Sequence, residues 1–515
     1  MGKYSLYCFT YFMGFRFIQA CCFFLICSIG EALGQRVSQY HTEVGGMAST
    51  DQTPFWLRAN QYGVVPLRGP VYRVNAGVYS DYRRTDSVNS RPVADWGYGA
   101  NVVVNAGNTK QVLVPEAYVK ARLWVFELYA GRRRELVGLV DTLLTSGAYA
   151  WSGNALPIPK IQIGIPTFTS VPFTKGVLSL MGVFAHGWFE KENRLVKGSY
   201  LHQTYGYGRL GKPTWPFRLY AGFNHQVIWA GRAAPGVIHP TVSVDGQLPS
   251  ALKYFPAVVF GTTGTQVDQV ATEFEANRVG NHLGSLDFAA DVNIGHWNAY
   301  LYRQFLYDDG SLYYGTNLED GLNGLRFKNR KAPGSVGVFL RQVTVEFLNT
   351  YSQGGSEFIN DDNLRRGRDN YFNHEQFIDG WVYHGRVIGT PFLTPQREVR
   401  PELRNTGPHN IGNNRVKALH LGISALLFNA VDFTTRLSVS RNAGTYNNPY
   451  VDSPQQFSGA LTASVPLTWL GGMVLNGTVA VDRGGLLPNS TGGYLGLRKN
   501  GLLGGRRSPA TRPKR

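Results

Sequence analysis

The chain has 515 residues and a formal net charge of +17, yet only 17% of its residues are charged, against 61 glycines and 67 aromatic residues. After the first 35 residues no segment approaches 18 consecutive apolar residues, which excludes a helical membrane protein. The four cysteines, Cys8, Cys21, Cys22 and Cys27, all lie near the amino terminus, so the rest of the chain holds neither a disulfide framework nor a cysteine-ligated metal.

Lys3 and Arg16 precede the apolar run "FIQACCFFLICSIG", and "EALGQ" follows with small residues at Ala32 and Gly34. That order is the signature of a secretory leader, expected to span residues 1–35 with cleavage near Gly34 or Gln35 and with Met13 as an alternative start. An N-terminal anchor, or a lipoprotein cysteine at Cys21 or Cys27, fits less well. Five cations, Arg506, Arg507, Arg512, Lys514 and Arg515, crowd the tail 504–515, leaving about +11 on the body between leader and tail. An exported basic protein meets no nucleic acid in its compartment. Acidic glycans and lipid phosphates are the expected partners of such a field.

Along the body, apolar and polar residues alternate with period two. In "AYVKARLWVFELYAG", Tyr118, Lys120, Arg122, Trp124 and Phe126 fall on one side and Val119, Ala121, Leu123 and Val125 on the other. Similar runs recur in "WNAYLYRQFLY", "GVFLRQVTVEFLNTY", "ALHLGISALLF" and "MVLNGTVAVD". They are rich in residues that favour strands and are separated by Gly, Asn and Asp. The pattern predicts an all-β, antiparallel transmembrane barrel of roughly 16 to 18 strands. Tyr300, Tyr302, Tyr307, Tyr313 and Tyr314 are expected in the interfacial girdles, and "GGYLGLRKNGLL" (Gly492–Leu503) as the last strand. A soluble β-rich domain is the competing fold.

Two passages break the alternation. Residues 131–158 read as a polar turn, a short helical piece and an aromatic loop; residues 353–415 are dense in Asp, Asn, Arg, His, Tyr and Trp. A connection that long is uncommon unless it is functional or disordered, and its aromatic content argues for order.

Hydrolase elbows, zinc-protease, phosphate-loop and dinucleotide motifs are all absent. No metal or cofactor site is expected. His186 and His225 are expected to face the lumen as hydrogen-bonding groups, and the His374–Glu375 pair in "NHEQF" is a weak acid/base signal. The stronger signal is sugar recognition, which combines aromatic platforms with planar donors and acceptors. "RRGRDNYFNHEQFIDGWVYHGR" holds that mix. Candidate glycan-binding residues are Arg366, Arg368, Asp369, Asn370, Tyr371, Asn373, His374, Trp381, Tyr383 and Arg386, with Trp151 and Asn154 from "WSGNALPIPKIQIGI". Arg366 and Arg368 suit carboxylates of acidic sugars.

Several passages in order resemble the capsule assembly Wzi family in the form typical of Bacteroidetes: "TPFWLRANQYGVVP" (Thr53–Pro66), "WSGNALPIPKIQIGI" (Trp151–Ile165), "FAHGWFE" (Phe184–Glu190), "LYAGFNHQVIWAG" (Leu219–Gly231), "GNHLGSLDF" (Gly280–Phe288), "GRDNYFNHEQFIDGWVYHGRVIGTPF" (Gly367–Phe392) and "NNRVKALHLG" (Asn413–Gly422). The resemblance implies a bacterial outer-membrane barrel of about 18 strands over residues 36–503, with an N-terminal periplasmic segment and short periplasmic helical elements. It also implies a non-enzymatic, lectin-like role in attaching and organising capsular or extracellular polysaccharide. Outer-membrane lipids and the capsule export machinery are then the further partners. A diffusion porin and an outer-membrane hydrolase are the alternatives.

Overall fold

The computed structural model describes residues 37–83, 92–238, 243, 245–262, 278–308, 311–334, 337–357 and 367–503. The leader, the basic tail and Arg366 lie outside these residues. The first nine long strands are β1 (Ser38–Ser49), β2 (Val71–Ser80), β3 (Ala94–Gly107), β4 (Gln111–Leu123), β5 (Phe126–Arg132), β6 (Lys160–Ser170), β7 (Leu178–Trp188), β8 (Tyr200–Leu210) and β9 (Phe217–Trp229). The second nine are β10 (Asn281–Ile294), β11 (Trp297–Asp308), β12 (Gly321–Asn329), β13 (Val338–Asn349), β14 (Val416–Leu427), β15 (Val431–Asn442), β16 (Gln455–Leu467), β17 (Met473–Gly484) and β18 (Ser490–Leu503). Each pairs antiparallel with the next. β18 returns to β1 in register from Ser38↔Leu503 to Ser49↔Gly492, so the eighteen-stranded sheet closes on itself.

The alternation read from the sequence decides which way each side chain faces. On β6, Ile161 and Ile163 are exposed on the outer wall while Lys160 and Gln162 are buried on the lumen side. On β11, Leu301 faces out and Tyr302, Gln304 and Leu306 face in. An apolar outer wall and a fully paired ladder are what hydrocarbon demands of a strand-built span. The parity of "AYVKARLWVFELYAG" does not run through unbroken. Trp124 and Val125 form a two-residue turn, with Trp124 in the left-handed region at φ 58°, and Phe126 pairs with Leu123 on the outer wall.

Tyr300 and Tyr302, expected in the girdles, face the lumen instead, because they share the inward row of β11 with Gln304; Tyr302 donates to Glu346 Oε1 at 2.5 Å. Tyr313 and Tyr314 lie in the β11–β12 connection. Residues 133–159 hold turns and bends and no helix, and several of their backbone N–H groups, those of Leu139, Ser146 and Tyr149, bond to side chains of the barrel wall. The helical pieces among the described residues are α1 (Phe55–Arg58), α2 (Phe255–Phe260) and three single 3-10 turns. Of these, only the turn Thr468–Leu470 sits at the end where β1 starts and β18 finishes.

Strand direction places the connections 50–70, 133–159, 230–280, 309–320 and 350–415 together at the end opposite the termini. In barrels of this kind the long connections are extracellular and the short ones periplasmic. Three of the long connections fold back into the lumen as a plug. Phe55 N donates to Asp482 Oδ2 on β17 at 2.8 Å, and Leu139 N donates to Asp287 Oδ2 on β10 at 2.9 Å, so the plug is tied to walls seven strands apart. Tyr149, Trp381, Tyr371 and Phe372 in its middle are completely or almost completely buried.

An unobstructed barrel of about 16 to 18 strands encloses an aqueous channel. Planar-bilayer recording of this protein is therefore expected to show little single-channel current. Steady ohmic conductance of open-porin size would mean that the three connections do not stay in the lumen.

Candidate functional site

The plug begins with the pattern of its three segments. "TPFWLR" places Phe55, Trp56 and Leu57 on α1, all buried; Trp56 Nε1 donates to Ser438 Oγ at 3.1 Å and its ring lies 4.8 Å from that of His420. "WSGNALPIP" runs beside "RVIG". Ser152 N donates to Ile388 O at 3.1 Å, Ser152 Oγ to Gly389 O at 2.6 Å, and Asn154 Nδ2 to Val387 O at 2.9 Å. The prolines at 157 and 159 suit this irregular course because each withholds a backbone donor that a dry lumen would have to satisfy. Glycine is required at 389, where a Cβ would come within 1.9 Å of Tyr149 O and 2.5 Å of the Phe372 ring.

Charges inside the plug are arranged around two carboxylates. Glu135 meets Arg133 at 2.8 Å and Lys160 at 2.6 Å, and Arg133 also reaches Glu127 on β5 at 2.6 Å. Glu398 is held by Arg58 and by Arg386 at 3.1 Å, all three buried, and Arg386 Nη2 also donates to Val65 O at 2.8 Å. Burial alone would push the Glu398 carboxyl up. The positive charges of Arg58, Arg386 and Arg397 outweigh it, together with the Arg58 hydrogen bond, and hold it below the usual carboxylate range.

The sequence-predicted glycan residues divide into two groups. Trp151, Asn154, Tyr371, Asn373, Trp381, Tyr383 and Arg386 are buried in the plug. Trp381 Nε1 donates to Ala150 O at 2.7 Å, its ring lies 6.4 Å from Trp151, and the Tyr371 hydroxyl donates to Asp320 Oδ2 at 2.9 Å. Such rings offer no free face to a sugar; they hold three connections together. Arg368, Asp369, Asn370 and His374 stay at least partly exposed at the mouth.

Around Arg368 the structure assembles partners that the sequence reading missed. Arg415 lies over two rings, 3.8 Å from the centroid of Tyr446 and 4.5 Å from that of Tyr351. Arg368 sits 6.0 Å from the Tyr446 ring and donates to Asn447 Oδ1 at 3.1 Å, while Lys417 lies 5.1 Å from Tyr351. Neither arginine nor the lysine forms an ion pair with a carboxylate among the described residues. The site draws on three places in the chain: the ends of the β13–β14 connection, its middle, and the short β15–β16 connection. Arg and Tyr immediately beside strand ends that flank a long connection were the available signal.

His186 and His225 do not face the lumen. They share the outward rows of β7 and β9 with the exposed Phe184 and Phe223, because each is two residues from an outward neighbour. His374 and Glu375 are neighbours in the chain, and Glu375 Oε1 lies 3.3 Å from His409 Nε2. No group of three or more metal-ligating side chains occurs among the described residues.

No family model and no curated protein matches the sequence. Among solved structures, Wzi of Escherichia coli, an outer-membrane protein involved in group 1 capsule assembly and a carbohydrate-binding β-barrel, aligns with a TM-score of 0.56 at 15% identity, covering 92% of this chain and 86% of that one. OccK5 (OpdH) and OccD3 (OpdP) of Pseudomonas aeruginosa align with TM-scores of 0.42 and 0.43 at 9% and 11% identity, over 90% and 92% of this chain and 98% and 92% of theirs. At these identities the likeness is one of fold. The resemblance to Wzi carried by the sequence motifs is present in three dimensions as an outer-membrane-type barrel.

Two measurements separate holding residues from rim residues. Trp381→Ala should lower barrel stability by about 3–5 kcal/mol, whereas Arg368→Ala should change it by no more than about 0.5 kcal/mol; denaturant titration of the refolded barrel reads both. Glu398→Ala, which strands two buried guanidinium groups, should cost about 3–5 kcal/mol. Because the folded carboxyl is depressed, its contribution is complete above the unfolded carboxylate value and is lost as pH falls through the folded one. Below about pH 4 the wild-type barrel should therefore lose stability that Glu398→Gln never had, so the two acid profiles should converge. Parallel profiles would show that Glu398 is not the titrating group.

Proposed function

We propose that this protein is a non-catalytic, lectin-like barrel of the outer membrane that attaches and organises capsular or extracellular polysaccharide at the cell surface. The observation that carries the reading is the rim cluster, in which Arg415 lies between Tyr351 and Tyr446 with Arg368 beside them. Sugar rings present C–H faces that lie flat on aromatic rings, and uronate or pyruvyl carboxylates accept paired hydrogen bonds from a guanidinium. Two arginines that form no ion pair with a carboxylate among the described residues, at an extracellular mouth on a basic body, suit an acidic glycan. Asn370 and His374 extend the polar rim from the same connection. The plugged lumen supports surface attachment over solute passage, and the carbohydrate-binding description of the similar Wzi barrel is consistent with it.

The test is retention. Arg368→Ala/Arg415→Ala should leave the barrel inserted and the polysaccharide made in normal amount, while shifting most of it from the cells into the medium. Binding of purified acidic polysaccharide to the barrel should weaken by about tenfold or more, since exposed cation–aromatic and charge-assisted contacts contribute about 1–2 kcal/mol each. Unchanged retention in a correctly inserted double variant would remove the rim from the function.

A further inference from the structure

One part of the outer wall departs from the lipid-facing pattern. On β7–β11 the outward residues at mid-wall are apolar and exposed, among them Leu180, Leu219, Phe223, Leu286, Phe288 and Leu301. Toward the long-loop end the same outward rows carry His186, His202, His225 and His282, with Tyr307 beyond them. These groups bond to one another. Tyr307 Oη lies 2.5 Å from His225 Nδ1, His225 Nε2 lies 3.2 Å from His282 Nδ1, and His282 Nε2 lies 2.9 Å from the Val279 carbonyl. The chain engages every ring nitrogen of His225 and His282. Left bare on a hydrocarbon-facing wall, four imidazoles would still be unfavourable.

They are covered. A 3-10 turn, Leu252–Tyr254, leads into α2, and this stretch lies across the histidines on the outside of the barrel. The Phe255 ring centroid is 5.7 Å from His202, 6.1 Å from His186 and 5.6 Å from Trp229. Tyr254, Ala257 and Val258 pack with Val227, Trp229 and Val279 in an apolar cluster separate from the plug. Gly261 ends the helix at φ 60°, directly over His282. The face turned away from the wall carries Leu252 and Phe260, 80% and 77% exposed, beside exposed Lys253.

The strap thus replaces a polar stretch of wall by large apolar side chains pointing outward. Exposing Leu and Phe to water gains nothing, whereas an apolar medium rewards it. Immediately below the strap run Phe184, Phe223 and Leu286, so its outer face continues the lipid-facing band upward. We propose that residues 252–260 are a lipid-contacting strap that beds Leu252 and Phe260 among the acyl chains of the outer leaflet and keeps Lys253 at headgroup level, in the manner of an interfacial amphipathic segment. This contact is independent of the glycan reading.

The chain's native cysteines, all at or before residue 27, can be replaced by alanine, so that a single Phe260→Cys carries an environment-sensitive fluorophore. The labelled barrel is reconstituted in bilayers, its folding checked by heat-dependent gel migration. Val451→Cys, 84% exposed in the β15–β16 connection, serves as the water-facing control. Lipids with a nitroxide on the acyl chain should quench the residue-260 label several-fold more than the control, and aqueous iodide should quench it less. Equal iodide quenching at both positions, with no acyl-chain quenching at 260, would overturn the proposal. Leu252→Cys repeats the measurement at the strap's other end, and a folded barrel with both labels in water would overturn it as well.

Discussion

Everything inside this barrel depends on wall carboxylates accepting backbone N–H groups from the plug. Irregular chain in a dry lumen has donors that neither a helix nor a ladder satisfies. Asp287, Asp308, Glu346 and Asp482 meet that need from β10, β11, β13 and β17, accepting from Leu139, Phe372, Ser146 and Phe55 at 2.9, 2.9, 2.5 and 2.8 Å. Asp320 does the same for Ser352 and Gln353 at the foot of the longest connection. The strands could close without these acids. The connections would then lack partners in the lumen, and the mouth would lose the floor on which the rim is built.

That dependence explains the division between buried and exposed members of one dense sequence passage. Between Gly367 and Phe392 the chain first crosses the mouth, where Arg368 stays in solvent, then dives to place Phe372 and Trp381 against Tyr149 and Ala150. Aromatic residues there serve packing, while polar ones such as Arg368, Asn370 and His374 keep some exposure. The aromatic faces of the rim come from Tyr351 and Tyr446, whose connections are anchored in turn: Tyr446 Oη donates to Ser352 O at 2.8 Å, and Arg415 Nε to Tyr351 O at 3.1 Å.

The barrel was legible in the sequence because period-two alternation is a property of each strand alone, and Ile161 and Ile163 against Lys160 and Gln162 need no knowledge of the rest of the chain. Strand ends were harder. The reversal at Trp124–Val125 hinges on a left-handed residue that alternation does not reveal, and it moved Phe126 to the opposite face. The rim was only half legible. Arg368 stood out in a rich passage, but the ring beside it, Tyr446, lies 78 residues after it and the rim's other ring, Tyr351, lies 17 before it, and only the folding of two connections toward each other brings them together. The aromatic wealth of the long connection pointed to Trp381 and Tyr383 because composition cannot separate a ring that binds from a ring that packs.

The outer wall shows the same limit from the other side. His186 and His225 stand in alternating runs where lumen and lipid faces are both arithmetically open, and a polar imidazole argues for the lumen on energetic grounds. The structure satisfies that energetic argument by a different route, covering the imidazoles with Phe255, Ala257 and Val258 instead of turning them inward. A strap of this kind lets a barrel carry polar residues on its outside without presenting them to lipid. The lipid face is then set by the segment that lies over the strands as much as by the strands themselves, which is why Leu252 and Phe260, part of the β9–β10 connection and of no strand, complete the apolar surface.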